Sequence, residues 1–233
     1  MLWAPLDRQG VFSFMDKVVF LIDGLNFYYS ILCVKRDTGV NAKWFDYFSL
    51  CEFYKNDLSK RRNKQMEIGG IFYFTSIIVR TFNMSNEEYL KHKNNQMVYL
   101  KVLRDSGIKI EISSFKRLNL KCPRCNLTYY KPTEKQTDVK IAVKLFEIFY
   151  KGIANIAVIV SGDTDLVPAI RVAKSLFPDK LIGVVIPYKN RSEALKSVSD
   201  FHYSIPAKKY ENHLLPNPYI LKSGHKIYKP ETW

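Results

Sequence analysis

Ile156-Ala-Val-Ile-Val-Ser-Gly-Asp-Thr-Asp165 decides how the rest of this chain is read. Its opening apolar run is too short for a helix and rich in β-branched residues, as suits a strand covered on both faces. Ser161-Gly162 ends the run, and Asp163 and Asp165 follow. Pro168 then falls in the first turn of the next periodic segment, where a helix accepts proline. Two carboxylates therefore stand where a parallel strand hands over to a helix, the edge at which open α/β sheets bind ligands. A plainer reading competes: Asp163 or Thr164 caps the helix and Asp165 faces its positive end. The segment alone does not choose between them.

Lys17-Val-Val-Phe-Leu-Ile22 is a second buried-strand run, and it too ends on a carboxylate, in Asp23-Gly-Leu-Asn26. An acid at the end of a fully apolar strand is costly to bury without a partner, and a metal ion would supply one. Asn26 either caps the following helix or points back toward Asp23. A third acid stands in Glu134-Lys-Gln-Thr-Asp138, ahead of Val139, Ala142, Val143, Leu145, Phe146, Ile148 and Phe149 at near-helical spacing. Thr137 is expected to cap that helix, with Asp138 in its first turn, where the helix dipole favours an acid in any case.

The other elements follow from periodicity. Phe27 to Cys33 and Trp44 to Asn56 read as helices, with Cys33 and Cys51 in their apolar contexts, and Lys60 to Lys64 as a basic loop. Ile71 to Thr75, Ile108 to Ile112 and Leu181 to Ile186 read as strands. Asn86 to Arg104 reads as a helix with Leu90, Met97, Leu100 and Leu103 inward, and Arg191 to Val198 as a short one. This order implies an α/β three-layer sandwich with a central parallel sheet of about five strands and helices on both faces. If the first and fourth strands lie side by side at a topological switch point, Asp23 and Asp163 converge there and Asp138 can reach them. Carboxylates gathered in one place repel and would force protonation. A hard divalent cation with oxygen ligands, Mg²⁺ or Mn²⁺, resolves that conflict.

At 233 residues and 47% hydrophobic, the chain reads as one globular domain with elaborations. The expected divisions are an N-terminal extension over 1–16, a core domain over 17–216 and a C-terminal tail over 217–233, with Phe201 to Trp233 irregular. Lys and Arg outnumber Asp and Glu by 36 to 22, a net charge of +14 that favours a polyanionic partner. No apolar run approaches the roughly 18 residues of a membrane span, and no signal-peptide core opens the chain. Four cysteines without a disulfide framework point to a reducing, cytoplasmic setting.

Residues 115–137 break the pattern as a polar, turn-rich insertion. From Lys116 to Lys140 it carries seven Lys or Arg against two acids. Lys116, Arg117, Lys121, Arg124, Lys131 and Lys135, interleaved with Tyr129 and Tyr130, suit the phosphates and stacked bases of a single strand. A solvated basic loop is the competing reading. Cys122-Pro-Arg-Cys125 is half of a zinc site, which other residues or a second chain would have to complete; a homodimer is compatible with this. A redox role finds no thioredoxin-like strand-to-helix setting around the pair.

Phe20-Leu-Ile-Asp-Gly-Leu-Asn26, Thr137-Asp-Val-Lys-Ile-Ala142 and Val160-Ser-Gly-Asp-Thr-Asp-Leu-Val-Pro-Ala169 together resemble the NYN domain family, specifically the LabA-like branch of the PIN-like nuclease superfamily. The resemblance spans Lys17 to Pro216. It implies a PIN-like fold and a Mg²⁺- or Mn²⁺-dependent endoribonuclease site. Asp23, Asp138, Asp163 and Asp165 fall on the family's acidic positions, and Asn26 and Ser161 on its accompanying polar ones. A Cys-x-x-Cys ahead of the third acid is also similar to some LabA-like members.

The expected mechanism follows. Asp23, Asp163 and Asp138 hold one or two ions that activate an in-line water and neutralise charge on the phosphate, while Asp165, Asn26 and Ser161 support them. Such a nucleophile does not need the 2′-hydroxyl, so RNA over DNA is implied by the resemblance alone. The alternative is a non-catalytic RNA-binding or regulatory module that retains the acidic pocket. A Toprim-like or phosphatase-like enzyme fits less well: the first would want a glutamate after the first strand, the second its Asp-x-Asp there.

Overall fold

Strands that are apolar on both sides need a hydrophobic layer above and below, and two sets of helices provide them. The computed structural model describes residues 15–81, 84–121 and 123–233, with the backbone alone for 114–119 and 129–135. The expected N-terminal extension therefore lies, through residue 14, outside the described residues. The chain runs β1 (Asp16–Asp23), α1 (Gly24–Thr38), α2 (Tyr47–Arg62), β2 (Met66–Ser76), α3 (Asn86–Asp105), β3 (Lys109–Lys121) and β4 (Thr128–Lys135). It continues with α4 (Thr137–Tyr150), β5 (Ile156–Val160), a 3-10 turn (Thr164–Leu166), α5 (Val167–Leu176), β6 (Leu181–Ile186), α6 (Glu193–Val198) and β7 (Phe201–Ser204). Then come α7 (Ala207–Asn212), β8 (Tyr219–Ile220) and β9 (Lys226–Ile227).

The main sheet has the order β4-β3-β2-β1-β5-β6-β7. All its pairings are parallel except β3 with β4. From β1 the chain winds outward through β2 to β3; from β5 it winds the other way through β6 to β7. The reversal puts β1 beside β5, with Ile22 opposite Val160. That pair is the topological switch point, and both strands end there on their carboxyl side.

Alternation along β1 sorts the two layers. Val18, Phe20 and Ile22 pack with Phe27 and Ile31 of α1, Leu50 of α2 and Leu103 of α3. Val19 and Leu21 pack with Ile141 and Leu145 of α4, Ile170 of α5 and Leu195 of α6. Every residue of β5 is buried, as expected for a central strand covered on both faces.

Several expectations need correction. The expected central parallel sheet is present with six strands, the last of them β7, which pairs with β6 where an irregular tail was expected. Gly183, lacking a side chain, makes room for the Phe201 ring across that pair. The insertion over 115–137 is largely a hairpin: β3 runs past the sheet edge and returns as β4, paired from Ser114↔Lys135 to Lys121↔Thr128. The sequence of these two strands carries no sustained hydrophobic alternation, so it reads as a loop.

Lys60, Arg61 and Arg62 form the last turn of α2 and not a loop, and Asn63 closes it in the left-handed region at φ 48°. Cations there face the negative end of the helix. In α3 the buried residues are Tyr99, Leu100, Val102 and Leu103, all in its C-terminal half, whereas Leu90 and Met97 are exposed. The N-terminal half is instead held by a capping box between Ser85 and Glu88. Thr137 is the first residue of α4, and Gln136 precedes it at φ 78° without a side-chain cap bond.

The segment after β7 wraps back onto the α1–α3 layer. Trp44 Nε1 donates to the Pro216 carbonyl at 3.1 Å, and Trp233 packs edge-on against Tyr99 with ring centroids 5.3 Å apart. No helix among the described residues is long and apolar enough to cross a membrane.

Candidate metal centre

Three acids from distant parts of the chain meet at the switch point. β1 ends on Asp23, α4 carries Asp138 in its first turn, and Asp163 follows β5 by three residues. A carboxylate oxygen from each lies within 4.8 Å of one from each of the others. Asp23 is only 4% exposed, while Asp138 and Asp163 are half-buried.

The loop geometry around Asp23 holds it in place. Its Oδ1 accepts the Asn26 backbone N–H at 3.0 Å, which also caps α1. Its Oδ2 accepts the Ser161 hydroxyl at 2.9 Å. Ser161 is fully buried, and the same hydroxyl oxygen accepts the Asp163 N–H at 3.1 Å. One serine thus ties the end of β1 to the turn after β5. Asp163 is fixed in turn, its Oδ1 accepting the Asp165 N–H at 3.0 Å.

Asn26 orders the second half of the site. Its Oδ1 accepts the Gly162 N–H at 3.0 Å and the Asn190 Nδ2–H at 2.7 Å. Gly162 has to be glycine for space, since a Cβ there would lie 2.5 Å from the Asn190 Cβ. Asn190 was not singled out from sequence. Its one signal was position, shortly after β6 on the same sheet edge as Asp23 and Asp163. No periodicity marks such a loop residue.

Asp165 is not brought into the three-acid group among the described residues; it is exposed and contributes a backbone N–H to Asp163. Lys121 and Arg124 are exposed at the far end of the hairpin, as is Cys125. Cys122 and the side chains of Lys116, Arg117, Tyr129, Tyr130, Lys131 and Lys135 lie outside the described residues.

The donor set suits a hard divalent cation. All three side chains offer carboxylate oxygen, and their 4.8 Å spread is only slightly more than twice the Mg²⁺–oxygen distance of about 2.0–2.1 Å. Three converging negative charges, one of them buried, also need a positive counterpart.

Residues 17–206 match the NYN domain. The chain belongs to the NYN domain family. This family lies within the PIN-like superfamily, and the α/β sheet with helices on both faces agrees with that fold. A crystal structure of a protein of unknown function from Vibrio parahaemolyticus superposes with a TM-score of 0.51 at 17% identity, over 86% of this chain and 97% of that one. That likeness concerns the fold. Among curated proteins, 6-hydroxy-3-succinoylpyridine 3-monooxygenase HspA of Pseudomonas putida is 27% identical over 91% of this chain and 73% of its own length. In this NYN domain the acidic cluster lies at the carboxyl edge of the sheet, with β1, the loop after β5 and α4 each contributing one acid.

Proposed function

We propose that this NYN domain is a divalent-metal-dependent nuclease that hydrolyses phosphodiester bonds, with RNA as the favoured substrate. The observation that carries this is the convergence of Asp23, Asp138 and Asp163 within 4.8 Å at the switch point of a nuclease-like fold. These three residues would hold Mg²⁺ or Mn²⁺. When bound, such an ion stabilises negative charge on a phosphate and makes a coordinated water more acidic.

The chain's own groups do the positioning. Ser161 and the Asn26 N–H fix the orientation of Asp23, so its carboxylate does not have to reorganise when phosphate arrives. Asn190 and Gly162 hold Asn26, and through it the spacing between the β1 and β5 loops. Asp165 acts on this reading through its backbone, by orienting Asp163. The basic hairpin supplies phosphate contacts away from the acids, through Lys121 and Arg124 and the neighbouring cations of the sequence. The Cys-x-x-Cys ahead of the Asp138 motif favours the LabA-like branch, and the basic excess favours nucleic acid as partner.

The Pseudomonas relative's name describes oxygenation of a substituted pyridine; at 27% identity that activity is not carried over. The deciding experiment incubates the protein with labelled single-stranded RNA and DNA in Mn²⁺, Mg²⁺ or EDTA, beside Asp163→Asn. Metal-dependent cleavage that the variant loses while still binding RNA supports the nuclease. Binding without cleavage under every condition replaces it with a non-catalytic RNA-binding module. Cleavage equal in both proteins refutes the site.

A further inference from the structure

A concavity on the α1–α3 face opens at the same sheet edge as the acids. It has a volume of about 270 Å³ and begins at Gly24, the residue after Asp23. Its floor is the exit of β2, where Thr75 and Ser76 follow Phe74, the residue in register with Asp23. Its walls are aromatic: Tyr28, Tyr47, Tyr73, Tyr99 and Trp233 all line it.

The walls are held by the surrounding structure. The Tyr47 and Tyr73 rings pack with centroids 4.9 Å apart, and the Tyr99 hydroxyl donates to the Phe45 carbonyl at 2.7 Å. A Cβ on Gly24 would come within 2.5 Å of the Tyr73 ring, so the bare backbone after Asp23 lets that ring pack directly against it. Gln96 pins the floor, donating to the Ser76 carbonyl at 2.8 Å and accepting from the Ile78 N–H at 2.9 Å. Thr75 and Ser76, both buried residues, bring hydroxyl side chains to the lining. Lys43 also lines the cavity, its ammonium 5.9 Å from the Tyr28 ring centroid.

Three features together select the occupant. The volume lies just under the roughly 300–1,000 Å³ of sites for drug-sized ligands, which suits one planar ring system with its sugar at the mouth. Aromatic faces and buried hydroxyls match stacking on a base and hydrogen bonding to its edge. Lys43 supplies a cation among the lining residues, and Gly24 follows Asp23 directly, which ties the cavity to the acidic site. We propose that this cavity is a nucleobase subsite, receiving the unstacked base of the nucleotide next to the phosphate that lies at Asp23, Asp138 and Asp163. The assignment rests on the nuclease reading for its phosphate, and it makes the enzyme selective for single-stranded or splayed RNA, since a base inside a duplex cannot enter.

Two arms test it separately from cleavage. In the first, AMP, GMP, CMP and UMP are titrated calorimetrically in EDTA against the full chain and against Ile78→Trp, which adds bulk at a lining residue, with ribose 5-phosphate as the base-free control. At least one mononucleotide should bind tenfold or more tightly than ribose 5-phosphate, and the variant, checked for folding by circular dichroism, should lose that preference. In the second, wild-type protein and Mn²⁺ act on RNA carrying one abasic nucleotide at successive positions. Cleavage should fall about ten- to a hundredfold when the gap adjoins the cut bond, and little elsewhere. Mononucleotides that bind no better than ribose 5-phosphate, or an abasic scan that is flat while cleavage persists, overturn the subsite. If RNA is not cleaved at all, the nuclease reading falls, and selective binding in the first arm still establishes a nucleotide site.

Discussion

Ser161 is the residue on which the site's geometry turns, because one buried hydroxyl both donates to Asp23 and accepts from Asp163. Ser161→Ala removes both bonds without adding volume. Mn²⁺ affinity, measured by titration calorimetry, should weaken about 10- to 100-fold, as is typical when a group orienting a metal ligand is lost. His213 makes a different residue-scale prediction. Burial first, and then the Lys209 ammonium, push its imidazole below the ordinary value of 6.5, while Asp46 pulls the other way. The folded state therefore binds fewer protons than the unfolded one. Stability from this group is fully present above about pH 6.5 and is lost as pH falls through the depressed folded-state value. Melting temperatures between pH 5 and 7.5 should decline less steeply on acidification in His213→Gln than in wild type, and identical slopes would exclude the imidazole as the cause.

At the scale of elements, the hairpin and β7 are the two pieces whose contributions can be separated. Lys121 and Arg124 are exposed near the hairpin's turn, far from the core. If they contact phosphate, the double variant Lys121→Ala/Arg124→Ala should lower the slope of log affinity for single-stranded RNA against log salt by about 1.4. Its thermal unfolding should be unchanged, and an unaltered salt slope would remove the hairpin tip from the binding surface. β7 depends on the space above Gly183, where a Cβ would meet the Phe201 ring at 2.1 Å. Gly183→Ala must displace that ring and should cost roughly 1–3 kcal/mol in urea unfolding, the usual range for overpacking.

For the whole molecule, the acidic cluster joins β1, β5 and α4, so a bound cation cross-links elements that unfolding separates. Mn²⁺ at about a hundred times its dissociation constant should add about 2.7 kcal/mol to stability. The expected reading is a rise in melting temperature that EDTA reverses and Asp163→Asn abolishes. An equal rise in the variant would place the ion elsewhere. The basic excess of +14 acts at the same scale, favouring a polyanion as partner.

Much of this architecture was legible along the chain. Runs such as Val18 to Ile22 and Ile156 to Val160 are β-branched and uninterrupted, and only a two-sided parallel strand accommodates them, so the α/β class and the acids at strand ends follow from local chemistry. Asp138 in the first turn of α4 was legible for the same reason, because dipole and sequence position agree. The hairpin and β7 were not. Their residues are polar or mixed, and a neighbouring strand, rather than their own periodicity, makes them strands. Leu90 and Met97 misled for the converse reason: the helical period suggests a face shared with Leu100 and Leu103, but α3 is buried only from Tyr99 onward. Sequence by itself determined which acids exist and which element ends they occupy. Only the tertiary structure decided that Asp23, Asp138 and Asp163 meet while Asp165 stays outside, that Asn190 braces Asn26, and that aromatic side chains from β2, three helices and the far end of the chain close around one cavity. Convergence depends on strand order and helix placement, which are set by packing between segments more than a hundred residues apart.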